Sequence, residues 1–83
     1  MNPIQSTVKS YVLEQFLPGA NAAEITESTP LITGGLLDSL ATIRLVAYLE
    51  NQFDITIDPA ETGVDNLDTL DSIAALVERK RKS

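Results

Sequence analysis

The segment from Leu40 to Phe53 most constrains how this chain can fold, because it contains neither glycine nor proline and follows a capping residue, Asp38. Its apolar residues predict a long amphipathic helix. At about 100° per residue, the side chains separate into two sets on opposite sides of that helix. We expect one set to pack inward: Ile43, Leu45, Val46, Leu49 and Phe53. We expect the other set to face outward: Ala41, Arg44, Tyr48, Asn51 and Gln52.

Two further segments show helical periodicity. Near the amino terminus, apolar residues recur at spacings of three and four and predict a helix that ends near Pro18-Gly19: Ile4, Val8, Tyr11, Val12 and Phe16. Near the carboxyl terminus, a stripe of Leu70, Ile73, Ala74 and Val77 predicts a closing helix. The segment from Asp68 to Asp71 offers its N-cap. The basic residues 79–82 would lie at the negative end of its dipole.

The connections between these helices are long. Gly19, Pro30, Gly34 and Gly35 interrupt residues 19–37, which predicts a loop of a length that is uncommon unless it is functional. Candidate anchors of this loop are Leu31, Ile32, Leu36 and Leu37. We also expect a short helical turn around residues 20–25, capped by Asn21.

The connection that follows Phe53 contains two smaller signals. Ile55 and Ile57 alternate with polar residues, which suits either a brief strand or a linker with buried anchors, and we favour the linker. The sequence Asp58-Pro59-Ala60-Glu61 matches a capping box and predicts a short helical turn, which Gly63 would end.

Together these elements predict an all-α fold, a small four-helix bundle of three long helices and one short one, with a long loop between the first two. With 83 residues, the chain is expected to form a single domain over residues 1–83. Residues 79–83 are expected to form a basic tail.

Composition excludes several classes of function. Residues 1–78 hold all twelve acidic residues of the chain and only two basic ones, which argues against binding nucleic acid. The chain has no cysteine and no histidine, so it lacks disulfides, thiolate nucleophiles, histidine metal ligands and histidine bases. We therefore expect no catalytic residue, no metal site and no enzyme activity.

The sequence shows neither an export signal nor a membrane-spanning segment. Residues 1–6 lack the basic and apolar regions of an export signal, and the longest apolar run has five residues, Leu45–Leu49. A helix that crosses a bilayer needs about 20 apolar residues. We therefore expect no membrane insertion and a cytoplasmic location.

The candidate chemistry lies at Gly34-Gly35-Leu36-Leu37-Asp38-Ser39-Leu40. A serine at the start of a helix lies beside unsatisfied N–H groups and the positive end of the dipole, where a phosphate group is tolerated. With Leu37 and Leu40 holding the turn, the Ser39 hydroxyl can face solvent and receive a modification. Self-made nucleophilic catalysis is unfavoured because no histidine is present to activate this serine.

This segment resembles the carrier-protein family, which includes the acyl carrier and the peptidyl or aminoacyl carrier proteins. The resemblance covers roughly residues 31–78 and rests on the run from Leu36 to Leu40, followed by a helix that ends in Glu50-Asn51-Gln52-Phe53. It implies that a phosphopantetheinyl transferase attaches 4′-phosphopantetheine from coenzyme A to Ser39. By the same resemblance, Asp38 and Leu40 belong to the cofactor-binding motif.

The resemblance also implies a function. Such a carrier holds an acyl or aminoacyl group as a thioester, which an activating ligase loads and a downstream acyltransferase or synthase accepts. Because it visits several enzymes in turn, we expect a monomer. The docking surface for these partners would include Leu37, Ala41, Arg44, Ala47 and Tyr48.

One departure from the family indicates the pathway. Carriers of fatty-acid synthesis line the outward face of this helix with acidic residues, whereas Glu50 is the sole acid on the helix here. Since rim charges mostly set partner choice, we expect a specialised pathway. The Gly-Leu-Leu-Asp-Ser run is similar to stand-alone carriers of activated amino acids, including the D-alanyl carriers. It also occurs in specialised acyl carriers, so the cargo stays open.

Two alternatives accompany this interpretation. The chain could be an unmodified helical interaction module, which would have no need of Ser39. The acidic residues Asp65, Asp68 and Asp71 could suggest a calcium site, but their spacing does not match an EF-hand loop. Capping and solvation are the favoured roles of these three carboxylates.

Overall fold

Each long helix begins at a side chain that satisfies one of its free N–H groups. The computed structural model describes residues 1–81, in which α1 spans Pro3–Gln15, α2 Ser39–Phe53, α3 Val64–Leu67 and α4 Leu70–Arg81. Asn2 caps α1, accepting a hydrogen bond from the Gln5 amide at 2.8 Å. Thr69, within the segment predicted to cap α4, accepts one from the Ser72 amide at 3.1 Å. The prediction of three long helices and one short one is confirmed.

The core is built from one stripe on each long helix and from several loop residues. Helix α1 buries Ile4, Val8 and Val12, while α4 buries Leu70, Ile73, Ala74, Leu76 and Val77. Five side chains of the connections are buried with them: Ile25, Leu31, Leu37, Ile55 and Ile57. Because so much of the core comes from loops, its packing holds the loops in place as well as the helices.

The face that α2 buries differs from the predicted one. Its buried residues are Ala41, Leu45 and Leu49, spaced by four, whereas Ile43 is 65% exposed. The expectations that Ile43 packs inward and Ala41 faces outward were therefore wrong. Two residues along a helix turn it by about 200°, so Ile43 lies on the side opposite the Leu45 stripe. The apolar arc was too wide for periodicity alone to choose its buried part.

Tyr48 was also expected on the outward face, and it is half-buried instead. Its ring stacks on Tyr11 of α1, with centroids 3.7 Å apart and an interplanar angle of 14°. Phe16 contacts Tyr11 edge-on at 5.4 Å, so three aromatic rings join α1 to α2. Burial raises the pKa of the Tyr48 hydroxyl, with smaller contributions from the neighbouring Tyr11 and Glu14.

The loop between α1 and α2 is held by more than the predicted anchors. A 3₁₀ turn spans Ala22–Glu24, and Asn21 caps it by accepting a hydrogen bond from the Ala23 amide at 2.9 Å, as predicted. Leu31 and Leu37 are buried, but Leu36 is 36% exposed and does not anchor the loop. Ile25, which the sequence did not indicate, is buried instead.

The connection between α2 and α3 follows the linker interpretation. Ile55 and Ile57 are buried with no strand at these positions, and the Ile57 amide donates to Glu50 Oε2 at 2.9 Å. The 3₁₀ turn Pro59–Glu61 follows, and the Asp58 amide donates to Glu61 Oε1 at 3.0 Å, as expected for the Glu of a capping box.

Three of the basic residues expected in a tail form the last turn of α4. Lys80 Nζ lies 2.8 Å from Glu61 Oε1 and 3.9 Å from Asp58 Oδ2, so this turn is tied to the α2–α3 connection. Arg79 donates to the Asn66 side chain at 3.2 Å. Lys82 and Ser83, the rest of the predicted tail, lie outside the described residues. Within residues 1–81, no helix has the length and apolar character needed to cross a membrane.

Candidate functional site

Ser39 is the first residue of α2, and its side chain is exposed. Asp38 caps the helix, because its Oδ1 accepts a hydrogen bond from the Ala41 amide at 2.8 Å, as predicted. The Thr42 amide and hydroxyl both donate to the Asp38 carbonyl oxygen, each at 2.9 Å. Three hydrogen bonds to Asp38 thus hold the first turn, and the Ser39 hydroxyl lies at the positive end of the helix dipole.

The turn that precedes Ser39 requires its two glycines. Gly35 has a φ of +81°, which residues other than glycine rarely adopt. A Cβ atom at Gly34 would overlap the carbonyl oxygen of Pro30. The turn closes when the Leu36 and Leu37 amides donate to the Leu31 carbonyl oxygen at 2.9 and 2.8 Å. These features fix the backbone conformation of the turn that leads to Ser39.

Asp68, between α3 and α4, also contacts this turn. Its carboxylate accepts hydrogen bonds from the Ile32 amide at 2.8 Å, the Thr33 amide at 2.9 Å and the Thr33 hydroxyl at 2.8 Å. Hydrogen bonds from Thr33 and Ile32 hold the pKa of this carboxyl below its usual range, against the opposing effect of burial. Sequence reasoning had placed Asp68 among capping and solvated residues, and no local pattern indicates these contacts.

A groove of about 760 Å³ lies on one side of Ser39, between the first half of α2 and the α2–α3 connection. Ser39 and Asp38 line one end of it. The rest of its lining is largely apolar and includes Ile32, Ile43, Val46, Ile57, Pro59 and Val64. A flexible chain attached to the Ser39 hydroxyl could therefore lie in an apolar environment without entering the core.

A smaller groove of about 330 Å³ lies between the end of α1 and the start of α2. Its lining includes Phe16, Gly35, Leu36, Leu40 and Arg44. The two grooves share Asp38, so the start of α2 separates an apolar depression from one that carries a cation.

A second apolar stripe, which we call the outer stripe, is exposed on the turn before α2 and on α2 itself: Leu36, Leu40, Ile43 and Ala47. Leu40 is 59% exposed, so the expectation that it holds the turn together with Leu37 was wrong. Ile43 is 65% exposed, and Arg44 lies exposed beside them. The signal for this stripe was present in the sequence, because Leu40, Ile43 and Ala47 follow one another at spacings of three and four.

The residues predicted to dock partners differ in their exposure. Arg44 and Ala47 are exposed on α2. Leu37 and Ala41 are buried, at 3% and 9% exposed, and Tyr48 is half-buried against Tyr11. The side chains of Leu37 and Ala41 thus support the turn from the core side and offer little surface to a partner.

The described residues also bear on metal binding. Within residues 1–81, no group of three or more acidic side chains is arranged to hold a metal ion. Asp65 is exposed, Asp68 binds the loop, and the third member of the acidic set, Asp71, accepts a hydrogen bond from the Gln5 side-chain amide at 2.7 Å. Two of these three carboxylates therefore make intramolecular hydrogen bonds.

Comparison with known proteins gives a consistent set of matches. A family model described as "Phosphopantetheine attachment site" matches residues 15–78. The D-alanyl carrier protein of Streptococcus mutans is 44% identical over 43 residues, which cover 52% of this chain and 54% of that protein. That of Lactococcus lactis is 39% identical over 51 residues, covering 61% and 65%. The chain thus spans between half and two thirds of the length of these two relatives.

A chain in a solved structure shares the fold. It belongs to a structure described as "Crystal structure of FAD-dependent dehydrogenase" and superimposes with a TM-score of 0.75 at 28% sequence identity. The match covers 84% of the present chain and 97% of the other chain. The two chains are therefore of similar size.

Proposed function

Because this chain belongs to the phosphopantetheine attachment-site family, we propose that Ser39 is the residue that receives 4′-phosphopantetheine. The observation that carries the proposal is the exposure of Ser39 at the first turn of α2, beside an apolar groove. Asp38 and Leu40 flank this serine, and we assign them to the motif that a transferase recognises.

The residues around Ser39 suit this prosthetic group. The first-turn N–H groups and the helix dipole favour the negative charge of a phosphodiester. A Cβ at Gly35 would have no neighbour, so this residue leaves open space at the surface for the active site of a transferase. In the transfer, the Ser39 oxygen forms a bond to the phosphorus of coenzyme A that bears the pantetheine, and 3′,5′-ADP leaves. When bound, the arm supplies a thiol that holds an acyl or aminoacyl group as a thioester.

The proposed function of the whole protein is that of a stand-alone carrier in a specialised pathway, with an activated amino acid as its cargo. The identity to D-alanyl carrier proteins supports this choice, and D-alanine is the first cargo to test. The protein would act as a cytoplasmic monomer of one domain and would catalyse nothing itself. A phosphopantetheinyl transferase, an adenylating ligase and a downstream acceptor would be its partners.

We assign partner docking to the outer stripe together with Arg44. The stripe is exposed and adjoins Ser39, and its charged neighbour is a cation. A partner that fits this surface presents apolar side chains and a carboxylate. Among the residues first expected to dock, Arg44 and Ala47 contribute directly, and Leu37, Ala41 and Tyr48 act by supporting the surface.

The attachment site is tested by intact mass after incubation with coenzyme A, magnesium and a broad-specificity transferase. We expect the wild-type protein to gain one phosphopantetheine arm and Ser39→Ala to gain none. Ser10→Ala, at an exposed serine of α1, is the matched control and should be modified like the wild type. No gain in the wild type with several transferases would instead favour the unmodified interaction module.

The cargo and the docking surface are tested by loading the modified protein. We expect rapid loading by a D-alanine-activating ligase and slow loading by a fatty-acid ligase. Arg44→Glu should slow the first reaction, because it places a like charge opposite the partner's carboxylate. Efficient wild-type function with a fatty-acid synthase would contradict the specialised pathway. An FAD-dependent dehydrogenase is a further partner to test for binding, because a chain in the crystal structure of such an enzyme shares this fold.

A further inference from the structure

Asp68 holds the far end of the turn that leads to Ser39. Its carboxylate accepts three hydrogen bonds, all from Ile32 and Thr33, at 2.8 to 2.9 Å. Its backbone carbonyl oxygen accepts a fourth from the Leu31 amide at 2.6 Å. Hydrogen bonds to an ionised acceptor are stronger than neutral ones, so this contact binds residues 31–33 firmly to the start of α4.

The same turn continues directly to Ser39. The Leu31 carbonyl oxygen accepts the Leu36 and Leu37 amides, and Leu37 is buried against the core. Asp38 follows and caps α2. Hydrogen bonds and one buried side chain thus form a continuous connection from Asp68 to Ser39.

We propose that Asp68 is a positioning residue for the modification of Ser39, holding residues 31–37 in the one arrangement that presents the serine to its transferase. The inference rests on the proposed attachment at Ser39. Without the Asp68 carboxylate, residues 32 and 33 lose three hydrogen bonds, and the turn samples other conformations. Only the competent fraction then binds the transferase productively, so the apparent dissociation constant rises in inverse proportion to that fraction.

This mechanism predicts a specific kinetic signature. In the transfer of the arm to the apo protein, Asp68→Ala should raise the KM for the carrier by roughly tenfold while kcat stays within about twofold, because the bound complex restores the turn. Asp68→Asn keeps an oxygen that can accept the two amides, so its KM should lie between those of wild type and Asp68→Ala. Asp65→Asn removes an exposed carboxylate from the neighbouring α3 and should behave like the wild type.

Thr33 provides an independent check, because its hydroxyl donates to Asp68 Oδ2. Thr33→Val should raise KM by a smaller factor than Asp68→Ala. In the double variant, the Thr33 substitution should add nothing further, since its partner is already gone. Additive effects of the two substitutions would contradict the proposal.

Amide hydrogen exchange tests the turn without any modification. We expect the Leu36 and Leu37 amides to exchange faster in Asp68→Ala, with the buried amides of α4 unchanged and the helical circular dichroism of the wild type retained. A wild-type KM in Asp68→Ala, or equal KM values for Asp68→Ala and Asp68→Asn, would overturn the inference. If the wild-type protein takes up no arm at all, the proposed function fails, while the exchange rates still decide whether Asp68 orders the turn.

Discussion

At the scale of single residues, Asp38 and Ser39 divide the work at the start of α2. The Asp38 carboxylate satisfies the Ala41 amide, whereas the Ser39 side chain is exposed. One residue therefore forms the helix terminus, and the next presents a hydroxyl on it. This division predicts that removing the Asp38 side chain lowers stability more than removing the Ser39 side chain.

Asp38→Ala should lower the free energy of unfolding by about 1 kcal/mol, because the first turn of α2 loses its cap. Ser39→Ala should change it by less than about 0.5 kcal/mol, since an exposed side chain is removed. Urea unfolding followed by far-ultraviolet circular dichroism, which reports the helical content, measures both values. Equal losses in the two variants would contradict this assignment of the cap.

At the scale of elements, α2 carries two apolar stripes, one of them buried and the other exposed. The inner stripe of Ala41, Leu45 and Leu49 is buried in the core, and the outer stripe is exposed around Ser39. The outward face of a surface helix in a globular protein is usually polar. The apolar outer face of α2 is consistent with the proposal that a partner covers it.

The two stripes are distinguished by truncating one residue of each. Leu45→Ala should destabilise the fold by about 2–5 kcal/mol, because it leaves a cavity at a fully buried position. Ile43→Ala, at an exposed position, should leave stability within about 0.5 kcal/mol of the wild type. It should nevertheless slow loading by the ligase. An unchanged loading rate in Ile43→Ala would remove Ile43 from the docking surface.

At the scale of the whole molecule, long-range polar contacts hold the connections against the helices. Asp68 binds the α1–α2 loop, and Glu61 of the α2–α3 connection binds Lys80 of α4. The pKa of Glu61 is lowered, first by the hydrogen bond from Lys80 and then by that from the Asp58 amide. The pKa of Lys80 is raised, first by the hydrogen bond to Glu61. Both connections next to Ser39 thus depend on ionised carboxylates.

These shifts give the acid dependence of stability a definite sign. A carboxyl whose pKa is lower in the folded state than in the unfolded state stabilises the fold at pH values above its unfolded-state pKa, which is about 3.9 for Asp and 4.3 for Glu. This contribution is lost as the pH falls through the folded-state pKa. The wild type should therefore lose stability as pH falls below about 4. Asp68→Asn and Glu61→Gln should each be less stable than wild type at pH 7 and differ less from it in strong acid. Thermal unfolding across this range measures the effect, and Asp65→Asn, at an exposed carboxyl, should follow the wild-type curve.

The sequence by itself determined the three long helices, several local caps and the position of Ser39. Asn21, Asp38 and the Asp58–Glu61 turn act through hydrogen bonds to residues within three positions along the chain, so their patterns are recognisable without a fold. Only the tertiary structure decided which side of α2 is buried, because the helix is apolar on both sides and its contacts with other elements select one. The structure likewise decided that Asp68 binds residues 32 and 33 and that Lys80 binds Glu61. These partners are 19 to 36 residues apart, and no local periodicity encodes a contact made by chain segments that meet only in the folded state.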